Sequence, residues 1–283
     1  MTNEIIRKTD LSGANYLIEI IVPQIAQRFK PGQFVIIRID EKGERIPLTV
    51  ADFDSARGSI TLIFQAIGKS TRRLATFKVG DAILDCVGPL GKPSKIEKFG
   101  RIICVGGGTG IACIYPLIKA LTNAKNEVLS IIGARTADML ILEDEISQLS
   151  FRTCIATDDG SKGHHGFVTD VLIELLDEYK NSGGIQRIIA IGPPVMMKAV
   201  ADITKPHNIK TIVSLNSIML DGTGMCGSCR VFIDGEMKLT CIDGPEFDAH
   251  RVNFEDLISR LEMFKEKEFE ALKYYLHPTG YIR

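Results

Sequence analysis

One segment of the chain contains the residue types that hold metal clusters. Asp221, Cys226, Cys229 and Cys241 follow the spacing D-x4-C-x2-C-x11-C. Plant-type [2Fe–2S] proteins use C-x4-C-x2-C followed by a more distant cysteine, so this segment has that pattern with an aspartate in the first position. The glycines between these residues allow a tight loop whose backbone N–H groups point at an anionic cluster. The sequence therefore predicts a [2Fe–2S] cluster with these four residues as its ligands.

Two alternatives to this interpretation remain open. Three cysteines and a carboxylate could form a tetrahedral structural zinc site, and cysteines also occur as unligated core residues. Asp221 could be a turn residue, with a different fourth ligand or none. If Asp221 is a ligand, a hard oxygen replaces a soft sulfur on one iron. We expect that replacement to shift the cluster potential and to make it pH-sensitive.

A second set of candidates is glycine-rich and suits the phosphates of a nucleotide. The segment 105–112, Val-Gly-Gly-Gly-Thr-Gly-Ile-Ala, follows an apolar strand and opens a helix, so its backbone can approach a pyrophosphate. It does not fit the G-x-G-x-x-G fingerprint. Loops after two further strands, residues 157–161 and 192–194, would complete a crevice, although each could be only a turn or a helix start. The candidate nucleotide-binding residues are Gly106, Gly107, Gly108, Thr109, Gly110, Arg135, Asp158, Asp159, Gly160, Gly192 and Pro193.

Two kinds of element must position these residues. Residues 1–98 hold short β-branched segments separated by turn residues, which predicts a small β-barrel or sandwich. Residues 99–206 alternate strands with helices, which is typical of a mainly parallel sheet with helices on both faces. Residues 207–248 carry the clustered cysteines. Residues 249–283 are predicted to form a C-terminal helix, an amphipathic stretch from Phe254 to Leu276, and a tail.

Composition excludes several classes of protein. The chain has 283 residues and a net charge of −1, so neither nucleic acid nor an anionic membrane is an expected partner. No apolar run is long enough to span a bilayer, and the first ten residues lack the apolar core of a signal peptide, so a cytoplasmic location is expected. The chain has seven cysteines, and an odd number argues against a disulfide framework.

With these motifs in hand, the chain resembles the ferredoxin–NADP reductase superfamily over roughly residues 1–205. Once the cluster segment is added, the resemblance narrows to the small subunits of NADH-dependent reduced ferredoxin:NADP oxidoreductases, also described as flavin subunits of sulfide dehydrogenases. The electron-transfer subunits of dihydroorotate dehydrogenase type B are similar as well, but they have a cysteine where this chain has Asp221. The most specific parts of the resemblance are the segments 44–49, 105–110, 157–161, 192–194 and 221–229.

The resemblance implies a β-barrel FAD domain, an α/β parallel-sheet NAD(P)-binding domain, and a small C-terminal [2Fe–2S] lobe with a terminal helix. The superfamily's flavin motif is Arg-x-Tyr-Ser/Thr. Here Thr49 supplies the hydroxyl, Ile46 stands in the arginine position, Arg45 lies one residue earlier and Pro47 replaces the aromatic residue. Phe64 could equally be a core aromatic residue. The flavin-binding residues implied are Arg45, Pro47, Leu48, Thr49, Phe64, Gln65, Ala66, Gly68, Ser70 and Thr71.

The resemblance also implies a function. An NAD(P)H-linked flavoprotein oxidoreductase subunit of this kind moves electrons between NAD(H) or NADP(H), FAD and its cluster. Its partner in a heterodimer is a larger subunit with FAD and [4Fe–4S] clusters, through which the complex reaches ferredoxin. No catalytic acid, base or nucleophile of the protein is required, because the cofactors carry the chemistry. A dihydroorotate dehydrogenase B subunit, a stand-alone reductase and a redox-sensing carrier remain alternatives. The C-terminal helix could dock the partner or pack on the chain's own barrel.

Overall fold

The computed structural model describes residues 3–12 and 14–277. The first part of the chain forms a seven-stranded antiparallel sheet that curls into a nearly closed barrel. Its elements are β1 (Asn3–Ser12), β2 (Asn15–Ile21), α1 (Pro23–Ala26), β3 (Phe34–Arg38), β4 (Arg45–Asp54), β5 (Ser59–Gln65), α2 (Lys69–Leu74), β6 (Ala82–Ile83) and β7 (Asp85–Leu90). The strands lie in the order β6-β1-β2-β5-β4-β3-β7.

The barrel interior is filled by alternate residues of its strands, because side chains of a strand point to opposite faces with a period of two. In β2, Ile18 and Ile20 are fully buried in this interior. Strand β3 departs from the alternation, since its residues 34–37 are all buried. Both faces of β3 are therefore covered, which is unusual for a strand of a small barrel.

The middle of the chain forms the predicted α/β unit. Its elements are β8 (Arg101–Gly107), α3 (Gly110–Asn123), β9 (Glu127–Ala134), α4 (Glu143–Leu149), β10 (Arg152–Thr157), β11 (His164–His165), α5 (Val168–Tyr179), β12 (Arg187–Ile191), α6 (Pro194–Thr204) and β13 (Thr211–Ser214). These strands are parallel, in the order β11-β10-β9-β8-β12-β13.

Helices cover both faces of this sheet, as the alternating pattern predicts. Helices α3 and α4 share one apolar core with the sheet, and α5 and α6 share the other. The core on the α3 side also contains Leu17, Ala51 and Ile63 of the barrel. Helix α3 is thus the element on which the two larger units meet, and Lys119 of α3 adds an ion pair to Asp52 of β4 at 3.0 Å.

The last part of the chain forms the cysteine-bearing lobe. Its elements are β14 (Arg230–Ile233), β15 (Glu236–Leu239), α7 (Thr240–Asp243), β16 (Glu246–Asp248), α8 (Phe254–Glu262) and α9 (Lys265–Leu276). The α/β sheet does not end at residue 206, because β13 follows it and β16 joins β13 as an antiparallel edge strand. The lobe also bonds to the segment after the barrel: the Lys92 N–H donates to the Gly244 carbonyl at 2.6 Å, and the Ser94 hydroxyl donates to Glu246.

The prediction of one C-terminal helix from Phe254 to Leu276 is wrong. The helix breaks at Phe264, whose φ of −115° and ψ of 7° are not helical. Helix α8 buries Phe254 and Leu257 against the α/β unit, whereas α9 has no buried residue and contacts α2 of the barrel. The break follows because one straight helix could not reach both surfaces. None of the helices in the described residues has the length and apolar character that crossing a bilayer requires.

Candidate cofactor sites

Cys229 and Cys241 form the buried half of the candidate cluster site. Cys229 precedes β14 and Cys241 lies in α7, and the hairpin pairs their neighbours Arg230 and Leu239. The two Sγ atoms are 3.2 Å apart, and both side chains are 2% exposed. A disulfide holds its sulfurs about 2.0 Å apart, whereas a tetrahedral metal with bonds of ~2.3 Å separates them by roughly 3.8 Å. The free pair therefore lies close to the spacing that a shared metal requires.

The other half of the site is a more exposed loop. The Asp221 carboxylate accepts the N–H groups of Thr223 and Cys226 at 2.7 Å each. The bond from Thr223, which has the largest effect, and the bond from Cys226 hold the pKa of the Asp221 carboxyl below its ordinary value. The exposed Cys226 thiol lies 3.1 Å from the Ser228 hydroxyl, and this contact lowers the pKa of the thiol. Both groups thus favour the anionic forms that bind metals.

The donor set fits a [2Fe–2S] cluster by type. Gly222, Gly224 and Gly227 have φ of 75°, 86° and 67°, which glycine adopts without strain, so the loop can wrap closely. In residues 3–12 and 14–277, no three His, Cys, Asp or Glu side chains already converge to hold a metal ion. Ligation would therefore turn Asp221 and Cys226 from their present partners toward the buried cysteine pair. By position, the buried pair would hold one iron and the exposed pair the other.

The glycine loop after β8 lies where the strand order reverses. The chain proceeds from β8 to β9 on one side and later from β12 to β13 on the other, and ligands of such sheets bind at the carboxyl ends of the strands there. A Cβ at Gly110 would collide with the Ile191 carbonyl oxygen, and one at Gly107 would collide with the Met196 sulfur. Gly108 has a φ of 55°, and a Cβ there would meet nothing within 4 Å. The loop is thus closely packed where Gly107 and Gly110 face the protein and open where Gly108 faces outward, as a phosphate-binding loop requires.

The loops after β9, β10 and β12 share this edge of the sheet. The N–H groups of Asp158 and Asp159 donate to the carbonyls of Ala134 and Arg135 at 3.2 Å. The Asp159 carboxylate accepts two bonds from Ser161, which lower its pKa. The structure therefore brings Arg135 and the 158–160 turn together, one and two strands away from the glycine loop. The segment 192–193 lies directly beside that loop, since it follows β12.

Strand β4 presents the flavin candidates to two faces. Arg45, Pro47 and Thr49 share the outer face, whereas Ile46 and Leu48 pack against the barrel core. The residue in the arginine position of the family motif thus points inward. Arg45 has the outward direction that Ile46 lacks and is exposed.

Thr49 connects this strand to the nucleotide loop. Strand β4 packs against α3, and the Thr49 hydroxyl lies beside the Cys113 thiol of that helix. Burial raises the pKa of that thiol, and the hydroxyl opposes the rise. Cys113 lies about 4.5 Å along the helix axis from Gly110, at 1.5 Å per residue. The structure therefore brings the flavin candidates of β4 and the nucleotide candidates to one cleft between barrel and sheet.

The first part of the second flavin segment lies against the barrel interior. Phe64 is 2% exposed and stacks on Tyr16, with ring centroids 5.8 Å apart. Its ring is a core aromatic, so the ring does not face a ligand site. Gln65 pairs with Asn15 in the sheet, and Ala66 is buried beside it.

The second part of that segment enters α2. The Gly68 N–H donates to the Thr71 hydroxyl at 3.1 Å. The buried Ser70 hydroxyl donates to Glu44 at 2.7 Å, which ties α2 to the segment before β4. The two flavin segments are therefore held side by side.

Sequence reasoning missed several residues of these sites. Ser228, Cys113 and Glu44 contact the candidate residues but were not predicted as site residues, although Ser228 and Glu44 lie within the segments 221–229 and 44–49. Phe34 and Ile36 pack against the cysteine pair. The unbroken apolar run of β3 was the available indication that both faces of that strand are covered.

A cavity of about 320 Å³ lies away from all candidate residues. It is at the amino ends of β8, β9 and β12, on the edge of the sheet opposite to the glycine loop. It is lined by Gly100, Arg101, Lys125, Glu127, Ser182, Gly183, Gly184 and Gln186.

Two family models match the chain. The iron–sulfur cluster binding domain of dihydroorotate dehydrogenase B matches residues 216–253, and the oxidoreductase NAD-binding domain matches residues 104–202. A homologue of the dihydroorotate dehydrogenase B (NAD(+)) electron transfer subunit from Thermotoga maritima is 44% identical over 98% of this chain and 97% of its own length. A probable dihydroorotate dehydrogenase B (NAD(+)) electron transfer subunit from Methanopyrus kandleri is 35% identical over 80% of this chain and 81% of its own length.

Solved structures agree with these matches. The structure of an NADH-dependent reduced ferredoxin–NADP oxidoreductase, described for flavin-based electron bifurcation, has a TM-score of 0.90 and 42% identity, covering 98% of both chains. Phthalate dioxygenase reductase, which transfers electrons from pyridine nucleotides to [2Fe–2S], has a TM-score of 0.59 at 16% identity, covering 85% of this chain and 93% of its own, and shows the fold alone. The predicted fold class and resemblance are confirmed.

Proposed function

Since the chain belongs to the family of dihydroorotate dehydrogenase B electron-transfer subunits and their homologues, we propose that it passes electrons between a nicotinamide nucleotide and a larger partner subunit with its own FAD and [4Fe–4S] clusters. The chain is an NAD(P)H-linked oxidoreductase subunit, and its cofactors are FAD, a [2Fe–2S] cluster and NAD(H) or NADP(H). When bound, the flavin takes a hydride from the nicotinamide and supplies single electrons to the cluster.

The protein's own contribution is positioning. The loop 106–110 and the start of α3 hold the pyrophosphate of the nucleotide, with Arg135 and the 158–160 turn beside it. Arg45 and Thr49 orient the flavin on the outer face of β4. Because Cys113 and Thr49 are in contact, the nicotinamide and the flavin are held in one cleft, and such placement is what the protein adds to hydride transfer.

The observation that carries this proposal is the exposed edge of the cluster loop. Cys226 is exposed there, and Leu220, Met225 and Ile242 beside it in the loop and in α7 are 55%, 86% and 45% exposed. A Cβ on Gly224 would lie 2.8 Å from Ile242, so these apolar side chains border the loop itself. Apolar side chains around a redox centre suit a protein interface. We therefore assign this edge as the point where electrons leave the chain.

We favour a partner of the ferredoxin–NADP oxidoreductase kind over a dihydroorotate dehydrogenase. The observation behind this preference is Asp221, which departs from the cysteine expected in dihydroorotate dehydrogenase B subunits. We also propose a cytoplasmic location, since the seven free cysteines suit a reducing compartment.

Anaerobic purification from native extract tests this function. From native extract we expect a heteromer in gel filtration. For the chain produced alone we expect two iron, two sulfide and one FAD, a rhombic EPR signal after reduction, and bleaching of the flavin by NADH or NADPH. Zinc in place of iron, or a flavin that neither nucleotide reduces, would contradict the proposal.

The preparation from native extract separates the two partner types. The favoured complex reduces NADP with NADH and reduced ferredoxin together, whereas a dihydroorotate dehydrogenase complex reduces NAD with dihydroorotate. A monomeric chain with rapid flavin bleaching would favour the stand-alone reductase instead.

A further inference from the structure

Strand β3 has two buried faces that lie against different parts of the molecule. Val35 and Ile37 point into the barrel core. Phe34 and Ile36 point outward but are only 4% and 2% exposed. The outer face of an antiparallel sheet is commonly solvated, so a covering element must lie over Phe34 and Ile36.

The cluster loop is that covering element. Phe34 and Ile36 form one apolar cluster with Met219, Cys229 and Cys241, and Leu90 of β7 packs against it. A Cβ on Gly222 would lie 2.6 Å from Ile36 Cδ1 and 2.7 Å from Leu90 Cδ1. The loop backbone therefore rests directly on this face, with no room for another side chain between them.

The flavin candidates lie beside the same two residues, on the same outer face of the sheet. The register of β3 and β4 pairs Phe34 with Thr49 and Ile36 with Pro47. Side chains that are directly opposite in an antiparallel pair share one face of the sheet, and adjacent strands are about 4.8 Å apart. Thr49 and Pro47 are thus one strand spacing away from the side chains that share an apolar cluster with the cysteine pair.

We propose that the row of outer-face side chains Phe34 and Ile36 on β3 lies between the flavin and the cluster and is the path that electrons take between them. The inference rests on the flavin and cluster sites proposed above and adds the element that couples them. Hydride transfer from NAD(P)H brings two electrons to the flavin. Two one-electron transfers along this row of side chains then restore the oxidised flavin and release one proton to solvent. Each of these transfers reduces one ferric iron of the cluster to ferrous. An external one-electron acceptor reoxidises the cluster after the first transfer and before the second.

Ile36→Ala in the cofactor-loaded chain tests this path, with Ile37→Ala as the matched control on the opposite face of the same strand. Stopped-flow absorbance after mixing with NADH or NADPH, whichever reduces the flavin, gives the rates of flavin and cluster reduction. Cytochrome c serves as the external acceptor. We expect the ratio of cluster reduction to flavin reduction to fall about tenfold in Ile36→Ala, the range typical when a layer next to a metal site is altered. The ratio in Ile37→Ala should match that of the unaltered chain.

Two further measurements keep the test independent of activity. Iron release to a chelator should be faster from Ile36→Ala than from Ile37→Ala, because only the first opens the layer over Cys229 and Cys241. Midpoint potentials of both cofactors are measured in each variant, and a rate change fully explained by altered driving force would overturn the path. If either alanine variant fails to fold, Ile36→Val and Ile37→Val replace the alanine pair. The ratio of cluster reduction to flavin reduction should again be lower in the Ile36 variant than in the Ile37 variant.

An unchanged ratio in the Ile36 variant, or an equal fall in the Ile37 variant, would overturn the inference while leaving the proposed function intact. Failure of the proposed function is distinct, because the unaltered chain would then show no flavin bleaching or no [2Fe–2S] signal.

Discussion

Asp221 has two roles to reconcile at the scale of single residues. Its carboxylate accepts the backbone N–H groups of Thr223 and Cys226, which shapes the cluster loop. A ligand to iron must also direct an oxygen toward the buried cysteine pair. A carboxylate has enough acceptor sites for both, so one oxygen can keep an amide while the other binds metal.

Asp221→Cys and Asp221→Ala separate these roles. If Asp221 is a ligand, Asp221→Cys should retain iron and move the midpoint potential of the cluster to more negative values, because thiolate donates more electron density to iron than carboxylate does. Asp221→Ala removes ligand and amide acceptor together, so its iron content should fall. EPR-monitored redox titration and iron analysis provide the measurements, and an identical potential in Asp221→Cys would show that Asp221 is not a ligand.

Thiol reactivity in the apoprotein should differ sharply between cysteines. The Ser228 hydroxyl lowers the pKa of the exposed Cys226 thiol, whereas burial raises that of Cys86 to about 12. Because the thiolate is the nucleophile, iodoacetamide should label Cys226 first, with a pH profile centred below that of an ordinary thiol. Ser228→Ala should move that profile to higher pH. Peptide mass spectrometry over pH 6–9 measures both, and faster labelling of Cys86 would contradict the assignment.

The chemistry at this scale was predictable because it depends on residue type and spacing. The ligand spacing and the loops at strand ends are visible in the sequence. The contacts of Cys113 and Glu44 were not, because they join residues that are far apart in the chain. The same limit applies to Arg45, whose outward direction depends on the register of β3 and β4.

At the scale of elements, the junction of β8, α3 and β12 depends on a glycine contact. A Cβ at Gly110 would overlap the Ile191 carbonyl, so any larger residue pushes the helix start away from the crevice. The start of α3 is also what the nucleotide phosphates contact in the proposed site, so packing and binding have the same requirement.

Gly110→Ala should lower the free energy of unfolding by roughly 1–3 kcal/mol, as overpacking of a tight contact does, and should weaken nucleotide binding. Gly68→Ala is the control for stability, because Gly68 has a φ of −95° and its Cβ would approach only Thr71 Oγ1, at 3.9 Å. Urea denaturation and titration calorimetry with the nucleotide measure the two effects. Equal stability of both variants would contradict the packing argument.

Elements were easier to predict than their ends. Strand–helix alternation gave the α/β unit, and turn residues gave the barrel. The break between α8 and α9 was not predicted, since no glycine or proline marks it and only the divergent surfaces that the two helices contact require a break. Likewise, nothing in the segment 207–248 marks β16 as an edge strand of the preceding sheet.

At the scale of the whole molecule, the exposed apolar edge of the cluster loop predicts where the partner binds. Met225→Lys should weaken the complex by about tenfold in Kd, equivalent to ~1.4 kcal/mol, because it places a charge at the centre of the proposed interface. Phe151→Lys is the matched control, since Phe151 is 69% exposed but precedes β10, far from the loop in the sheet order. Surface plasmon resonance with the isolated partner measures both, with iron content confirming that the cluster is retained. Equal affinities would place the interface elsewhere.

The attachment of the cysteine-bearing lobe to both larger units has a consequence for motion. Strand β16 is built into the α/β sheet, while Gly244 and Glu246 bond to the segment that leaves the barrel. A hinge between barrel and sheet would have to break these bonds and slide the lobe over β3. We therefore expect nucleotide exchange to proceed through local rearrangement of loops, and the separation between electron donor and acceptor to stay constant from one turnover to the next.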